Sequence, residues 1–168
     1  TTEQRKKLAD FLAAYEGGKY VGKIAPIRSV GVQGDNRSYK SLVVLGGGLP
    51  TNWDALFEVA RAIPNNLSFI NRVAYRVDSR EPVTTLTCTP MHICHETAEV
   101  LREADAIVTG TVMNKKIAQC FAVLLPVSTD ETSARPYSIV IRAVVTSDYM
   151  TARAAVPGVH FPVEALES

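Results

Sequence analysis

Cysteine is scarce: the 168 residues hold three, Cys88, Cys94 and Cys120. So small and odd a number supplies no disulfide framework, which points to a reducing, cytoplasmic compartment. Long apolar runs are missing too. None approaches the ~20 residues a helix needs to cross a bilayer, so no membrane partner is expected. The opening residues, Thr1 to Asp10, are polar and charged and lack the apolar stretch of a secretory leader. Neither charge is in excess, the formal balance being +1. That gives no basis for non-specific binding to nucleic acid or to an acidic membrane. What remains is an ordinary globular composition, 46% hydrophobic and 21% charged, of a length that suits one domain or two small subdomains.

Periodicity predicts a helix from Glu3 to Glu16, with Leu8, Phe11, Leu12 and Tyr15 on one stripe and Gly17-Gly18 as its exit. Pro26 to Gln33 reads as a strand, with Ile24, Val30 and Val32 on its inner face. Gly34-Asp35-Asn36 supplies a turn and Tyr39 to Leu45 the returning strand. Thr51 and Asp54 resemble a capping box before a helix that buries Trp53, Leu56, Phe57, Ala60 and Ile63 and ends at Pro64. Strands are expected at Phe69 to Asp78, Gln119 to Val127 and Tyr137 to Thr146, and helices at His95 to Asp105 and from Pro162 onward. The last is so short that it points to a truncated element. Strand, loop and helix over Tyr39–Ile63 recur in outline over Tyr137–Leu166. This mixture favours an α+β class over a doubly wound sheet.

Four constellations invite chemistry. Gly46-Gly47-Gly48 lies between strand and helix, as phosphate loops do, but has neither GxGxxG spacing nor a following Lys-Ser/Thr pair. It reads as a connecting loop. Cys88, His92, Cys94 and His95 interleave as Cys-x₃-His-x-Cys-His, whereas structural zinc sites pair their ligands as C-x₂₋₄-C and H-x₃₋₅-H. A helix start is the plainer reading there, and no metal is expected. The same residues as a Cys–His nucleophile pair need a contact and an orienting group that sequence does not provide. In Gly34-Asp35-Asn36-Arg37 a carboxylate and a guanidinium stand two apart. They suit hydroxyls and a phosphate respectively, or form a solvated turn with a local ion pair.

Three ordered motifs carry a family resemblance. Val30-Gly31-Val32-Gln33-Gly34-Asp35-Asn36-Arg37-Ser38-Tyr39 resembles the opening motif of the GMP synthetase C-terminal domain. Asn71-Arg72-Val73-Ala74-Tyr75 looks like the family's Asn-Arg-Val-Val-Tyr strand, and the stretch from Val140-Ile141-Arg142 to Met150-Thr151-Ala152 like its Ile-Arg to Met-Thr segment. Their spread, with Lys116-Ile117-Ala118-Gln119, Ser79-Arg80-Glu81-Pro82 and Val156-Pro157-Gly158, is similar to the long, eukaryotic-type form.

The resemblance implies two tandem small sheet-plus-helix subdomains of the dimerisation type: residues 1–25 as a connector helix from an ATP pyrophosphatase domain, 26–127 as a first subdomain, and 128–168 as the start of a truncated second. The family converts xanthosine monophosphate (XMP) to GMP with ATP, Mg²⁺ and ammonia from glutamine. The implied XMP contacts are Asp35, Arg37 and Gln119. No catalytic residue and no cofactor is expected in this chain, because the Ser-Gly-Gly-x-Asp-Ser loop and the glutaminase cysteine are not in it. Implied partners are XMP, the pyrophosphatase and glutaminase domains, and a second copy or an intrachain pseudo-dimer. Two other readings stand beside it: an interaction domain without nucleotide binding, and a small metal-dependent enzyme.

Overall fold

The computed structural model describes residues 1–15, 20–33, 36–47, 50, 52–79, 81–129, 137–148 and 151–166. Its elements are α1 (Thr2–Ala14), β1 (Val21–Gln33), β2 (Asn36–Gly46), α2 (Trp53–Asn66), β3 (Ile70–Tyr75), β4 (Thr87–Cys88), α3 (His95–Val112), β5 (Gln119–Leu125), β6 (Val127–Ser128), β7 (Ser138–Val145) and β8 (Arg153–Ala154). A 3₁₀ turn follows at Val163–Leu166. The class is α+β, as read from the sequence. Among the described residues no helix is long and apolar enough to cross a membrane.

Contacts divide the chain into two units, Thr1–Thr89 with Val127–Pro136, and Pro90–Pro126 with Tyr137–Ser168. These borders differ from the expected cuts after residues 25 and 127. Physically, α1 is no separate connector: its buried Leu8 and Leu12 sit in one core with Val43, Leu45, Val59 and Ile63 of β2 and α2. Burying one such aliphatic side chain is worth about 1.5–3 kcal/mol, so this stripe holds α1 to the sheet.

In the first unit the sheet order is β1-β2-β3. β1 and β2 are an antiparallel hairpin, and β3 returns parallel to β2 through α2, since parallel neighbours need a crossover. β1 starts five residues before the expected Pro26. Pro26 lies in a bulge, where β1 advances from Ile24 to Arg28 while β2 advances only from Val43 to Ser41. A bulge is where a strand tolerates a residue without an N–H. The core stops at Leu42–Gly46 of β2; none of residues 36–41 and 28–31 is buried. Val30, expected inside, is therefore 37% exposed.

α2 differs at both ends from the sequence reading. Its cap is Asn52, whose Oδ1 accepts from the Ala55 N–H at 3.1 Å; Thr51 lies outside the described residues. The helix also runs through Pro64 to Asn66. Proline so near the end forfeits one backbone bond, and fully buried Ile63 with buried Leu67 anchors that turn. Beyond α2, Gly46 has its own reason to be glycine: a Cβ there would meet Val83 Cγ2 at 2.7 Å. The glycine run thus begins as a packing contact at the end of β2. β4 and β6 pair as a short ladder within the same unit.

The second unit has sheet order β5-β7-β8, all antiparallel. α3 extends past the expected end at Asp105 because Val108 and Val112 remain on its buried face. Asp105 itself accepts the Ala122 N–H at 2.8 Å, tying the helix to β5. Val112, Ile117, Ala155 and Phe161 form the core. Segments Tyr39–Leu45 and Tyr137–Thr146, matched in the sequence, supply the middle strands of the two three-stranded sheets. Each follows a helix and an antiparallel partner, α1-β1-β2 in one unit and α3-β5-β7 in the other. Past that point the units diverge: a 14-residue helix follows β2, while β8 and a 3₁₀ turn follow β7.

Candidate functional site

The hairpin end that overhangs the first core carries Arg37. Asp35 lies outside the described residues. Arg37 is exposed on β2, opposite Val32, and its guanidinium has no ion pair or hydrogen bond with the described residues. The local ion pair that is the competing reading of this turn would involve Asp35 and so lies outside the described residues.

What steadies the overhang comes from β3. There the chain advances from Ile70 to Arg72 against one step on β2, from Ser41 to Leu42. Asn71 is the extra residue, and bulges re-aim the side chains they free. Its carboxamide grips Ser29 at both ends: Oδ1 accepts from the Ser29 hydroxyl, and Nδ2 donates to the Ser29 carbonyl at 2.8 Å. Arg72 adds Nε and Nη2 donations to the Val30 carbonyl at 3.2 and 2.9 Å. Gly31 leaves room for this clamp, since a Cβ there would lie 2.9 Å from Asn71 Nδ2. Sequence reading quoted Asn71 and Arg72 as a motif and missed this role. The signal was Gly31 facing two polar motifs far apart in the chain.

Gln119 belongs to the second unit, as the exposed first residue of β5, opposite Val144. Its approach is strapped down. Lys116 Nζ donates to the Val159 carbonyl at 3.1 Å and Asn114 Nδ2 to the His160 carbonyl at 2.8 Å. Past the end of β7, Asp148 accepts from the Thr146 hydroxyl at 3.1 Å, the Thr151 N–H at 2.7 Å and the Thr151 hydroxyl at 3.0 Å. Two open clefts lie within the units. One, about 490 Å³, is lined by Arg76, Ser79, Glu81, Thr84, Thr85 and Thr129; the other, about 530 Å³, by Asn114, Lys116, Val159, His160 and Glu164 among others. Neither is lined by Arg37 or Gln119.

The Cys–His cluster has a different use. Cys94 caps α3, its N–H donating to Thr97 Oγ1 at 3.1 Å. The hydrogen bond to Cys94, and then its own backbone amide, hold the Glu96 carboxyl below its ordinary value. Among the described residues no group of three or more His, Cys, Asp or Glu could hold a metal ion. Cys120 is half-buried, and burial, then the Asp105 carboxylate, push its thiol above the usual range. It is therefore protonated at neutral pH and a poor nucleophile. A thiol reagent at pH 7 is expected to label exposed Cys88 well before Cys120, whose rate should climb only as the pH is raised further. Equal rates at pH 7 are incompatible with this burial.

Comparison with known proteins decides the relationship. No family model matches the chain. A probable GMP synthase [glutamine-hydrolyzing] of Caenorhabditis elegans is 36% identical over 162 residues, which is 85% of this chain and 22% of that protein. That of Leptospira interrogans is 36% identical over 157 residues, 90% of the chain and 25% of its own length. The GMP synthase of Dictyostelium discoideum is 32% identical over 164 residues, 86% of the chain and 22% of its length. The chain is homologous to a segment of the glutamine-hydrolysing GMP synthases. It spans about a quarter of their length or slightly less. Within the aligned stretch, the clamp by Asn71 and Arg72 fixes the base of an exposed hairpin, and the Lys116 strap fixes the approach to Gln119.

Proposed function

We propose that this chain is the XMP-binding and assembly part of a glutamine-hydrolysing GMP synthase. In this reading the whole protein is a ligase of purine nucleotide biosynthesis, converting XMP to GMP with ATP, Mg²⁺ and ammonia released from glutamine. The observation that carries it is the alignment with GMP synthases along 85 to 90% of the chain. Arg37 provides the phosphate contact, Asp35 accepts from sugar hydroxyls, and the Gln119 amide meets the base. The chemistry suits each: a guanidinium matches phosphate bidentately, a carboxylate is an acceptor only, and an amide both donates and accepts. The exposed position of Arg37 on a clamped hairpin supports its assignment.

No catalytic step is assigned to this chain. In this reading ATP, Mg²⁺ and glutamine belong to the pyrophosphatase and glutaminase parts contributed by the rest of the protein. The recurrence of helix, strand and antiparallel strand in both units supports an assembly role, as a dimer or as a pseudo-dimer within one chain. Two measurements test the reading. The full-length protein is expected to bind XMP saturably without ATP, and failure to do so sinks it. The 168-residue chain alone, supplied with XMP, ATP, Mg²⁺ and ammonia, is expected to release no AMP above a protein-free control.

A further inference from the structure

We propose that Tyr39 is the surface on which the purine base stacks when Arg37 holds the phosphate. This rests on the XMP-binding reading and adds a residue to it. Antiparallel partners point to one side of a hairpin and alternate residues share a face. Val30 is opposite Tyr39 and Val32 opposite Arg37, so Val30, Arg37 and Tyr39 share one face, with Arg28 beyond them. The opposite face carries Ser29, Gly31, Ser38 and Lys40. It is closed where the Asn71 carboxamide lies against Ser29 and Gly31 and where the Ser38 hydroxyl donates to the Gly31 carbonyl. Of the two faces, the one with Arg37 is open.

On that open face stands a large aromatic ring with nothing to bury it: Tyr39 is 59% exposed, and Val30 across from it 37%. Two residues along a strand lie about 7 Å apart, comparable with the reach from base to phosphate in a mononucleotide. The Arg28 guanidinium, on the same face, donates to the Tyr39 backbone carbonyl at 3.5 Å. The described part of the hairpin from Arg28 to Ser41 contributes two guanidinium-bearing residues to this face, Arg28 and Arg37. An exposed aromatic ring that shares a hairpin face with two guanidinium-bearing residues is complementary to a planar base bearing an anionic tail, because every purine offers a π-face and stacking needs no hydrogen-bond code.

The experiment compares XMP with ribose 5-phosphate, which lacks a base, on the full-length protein and its Tyr39→Ala, Tyr39→Phe and Arg37→Ala variants, by calorimetry. Tyr39→Ala is expected to weaken XMP by about 5- to 150-fold, the range for losing one base–aromatic stack. It should leave ribose 5-phosphate unchanged, and Tyr39→Phe should restore XMP affinity. Arg37→Ala should weaken both ligands. The hypochromism of XMP on binding should vanish in Tyr39→Ala at saturating ligand. An unchanged XMP affinity in Tyr39→Ala, or equal losses for both ligands, overturns the stacking role while the XMP-binding reading stands. So does a change of oligomeric state without a change in affinity, which makes this face a protein interface. No XMP binding by the unaltered protein removes both.

Discussion

Arg37→Ala in the full-length protein is expected to raise the XMP concentration needed for half-maximal GMP formation by about 10- to 150-fold. A hydrogen bond to a charged group is worth about 1.5–3 kcal/mol, and each 1.4 kcal/mol is tenfold. Because Arg37 projects from a hairpin outside the core, the variant should fold normally and keep its ATP requirement. Steady-state kinetics with XMP and ATP varied in turn checks it. An XMP dependence that does not move places the phosphate contact on another residue. Arg37→Lys should recover part of the loss, since a lysine keeps the charge and gives up the bidentate fork.

Asn71→Ala is expected to loosen the same hairpin from behind. It removes two hydrogen bonds to Ser29 in a half-buried setting and leaves the Ser29 hydroxyl and carbonyl to find water. The cost expected for such a loss is about 1–3 kcal/mol. Amide hydrogen exchange should speed up by about 5- to 150-fold at Ser29 to Gly31 and Ser38 to Ser41 while the core strand from Leu42 to Leu45 changes little, because opening energies differ from one region to another. The XMP requirement should rise with it. Uniform acceleration across both units would mean that the residue supports the fold as a whole.

These two residues also show how far the sequence could be read. Arg37 was singled out because its motif is long and a guanidinium suits a phosphate, and its exposed place on β2 follows from the hairpin the sequence predicted. Asn71 was quoted in a motif yet stayed opaque: its role depends on a bulge that places it against a strand 42 residues earlier, and no local pattern encodes that pairing. The helices were found from their stripes, Leu8 with Leu12 in α1 and Leu56 with Ile63 in α2. Their ends were missed where a tertiary contact outweighed a local signal, as buried Ile63 and Leu67 did against Pro64. Val30 fails for the opposite reason. Alternation marks it as inward, but the strand outruns the helices that would have covered it. Whether Arg37 and Gln119 serve one nucleotide is a matter of three dimensions, and the family motifs alone suggested it.

One consequence follows from the way β6 belongs to the first unit although it lies between β5 and β7 of the second. Neither unit is a continuous stretch of chain. On the ribosome, α1 to β3 can collapse early, but β4 waits for its partner until Ser128 has been made. By then α3 and β5 have already been made, so the two units are completed in an interleaved order instead of one after the other. The same interleaving governs dissection. A protease cut anywhere leaves at least one unit in two pieces, and a gene trimmed after Thr89 would express a first unit lacking the strand that β4 needs.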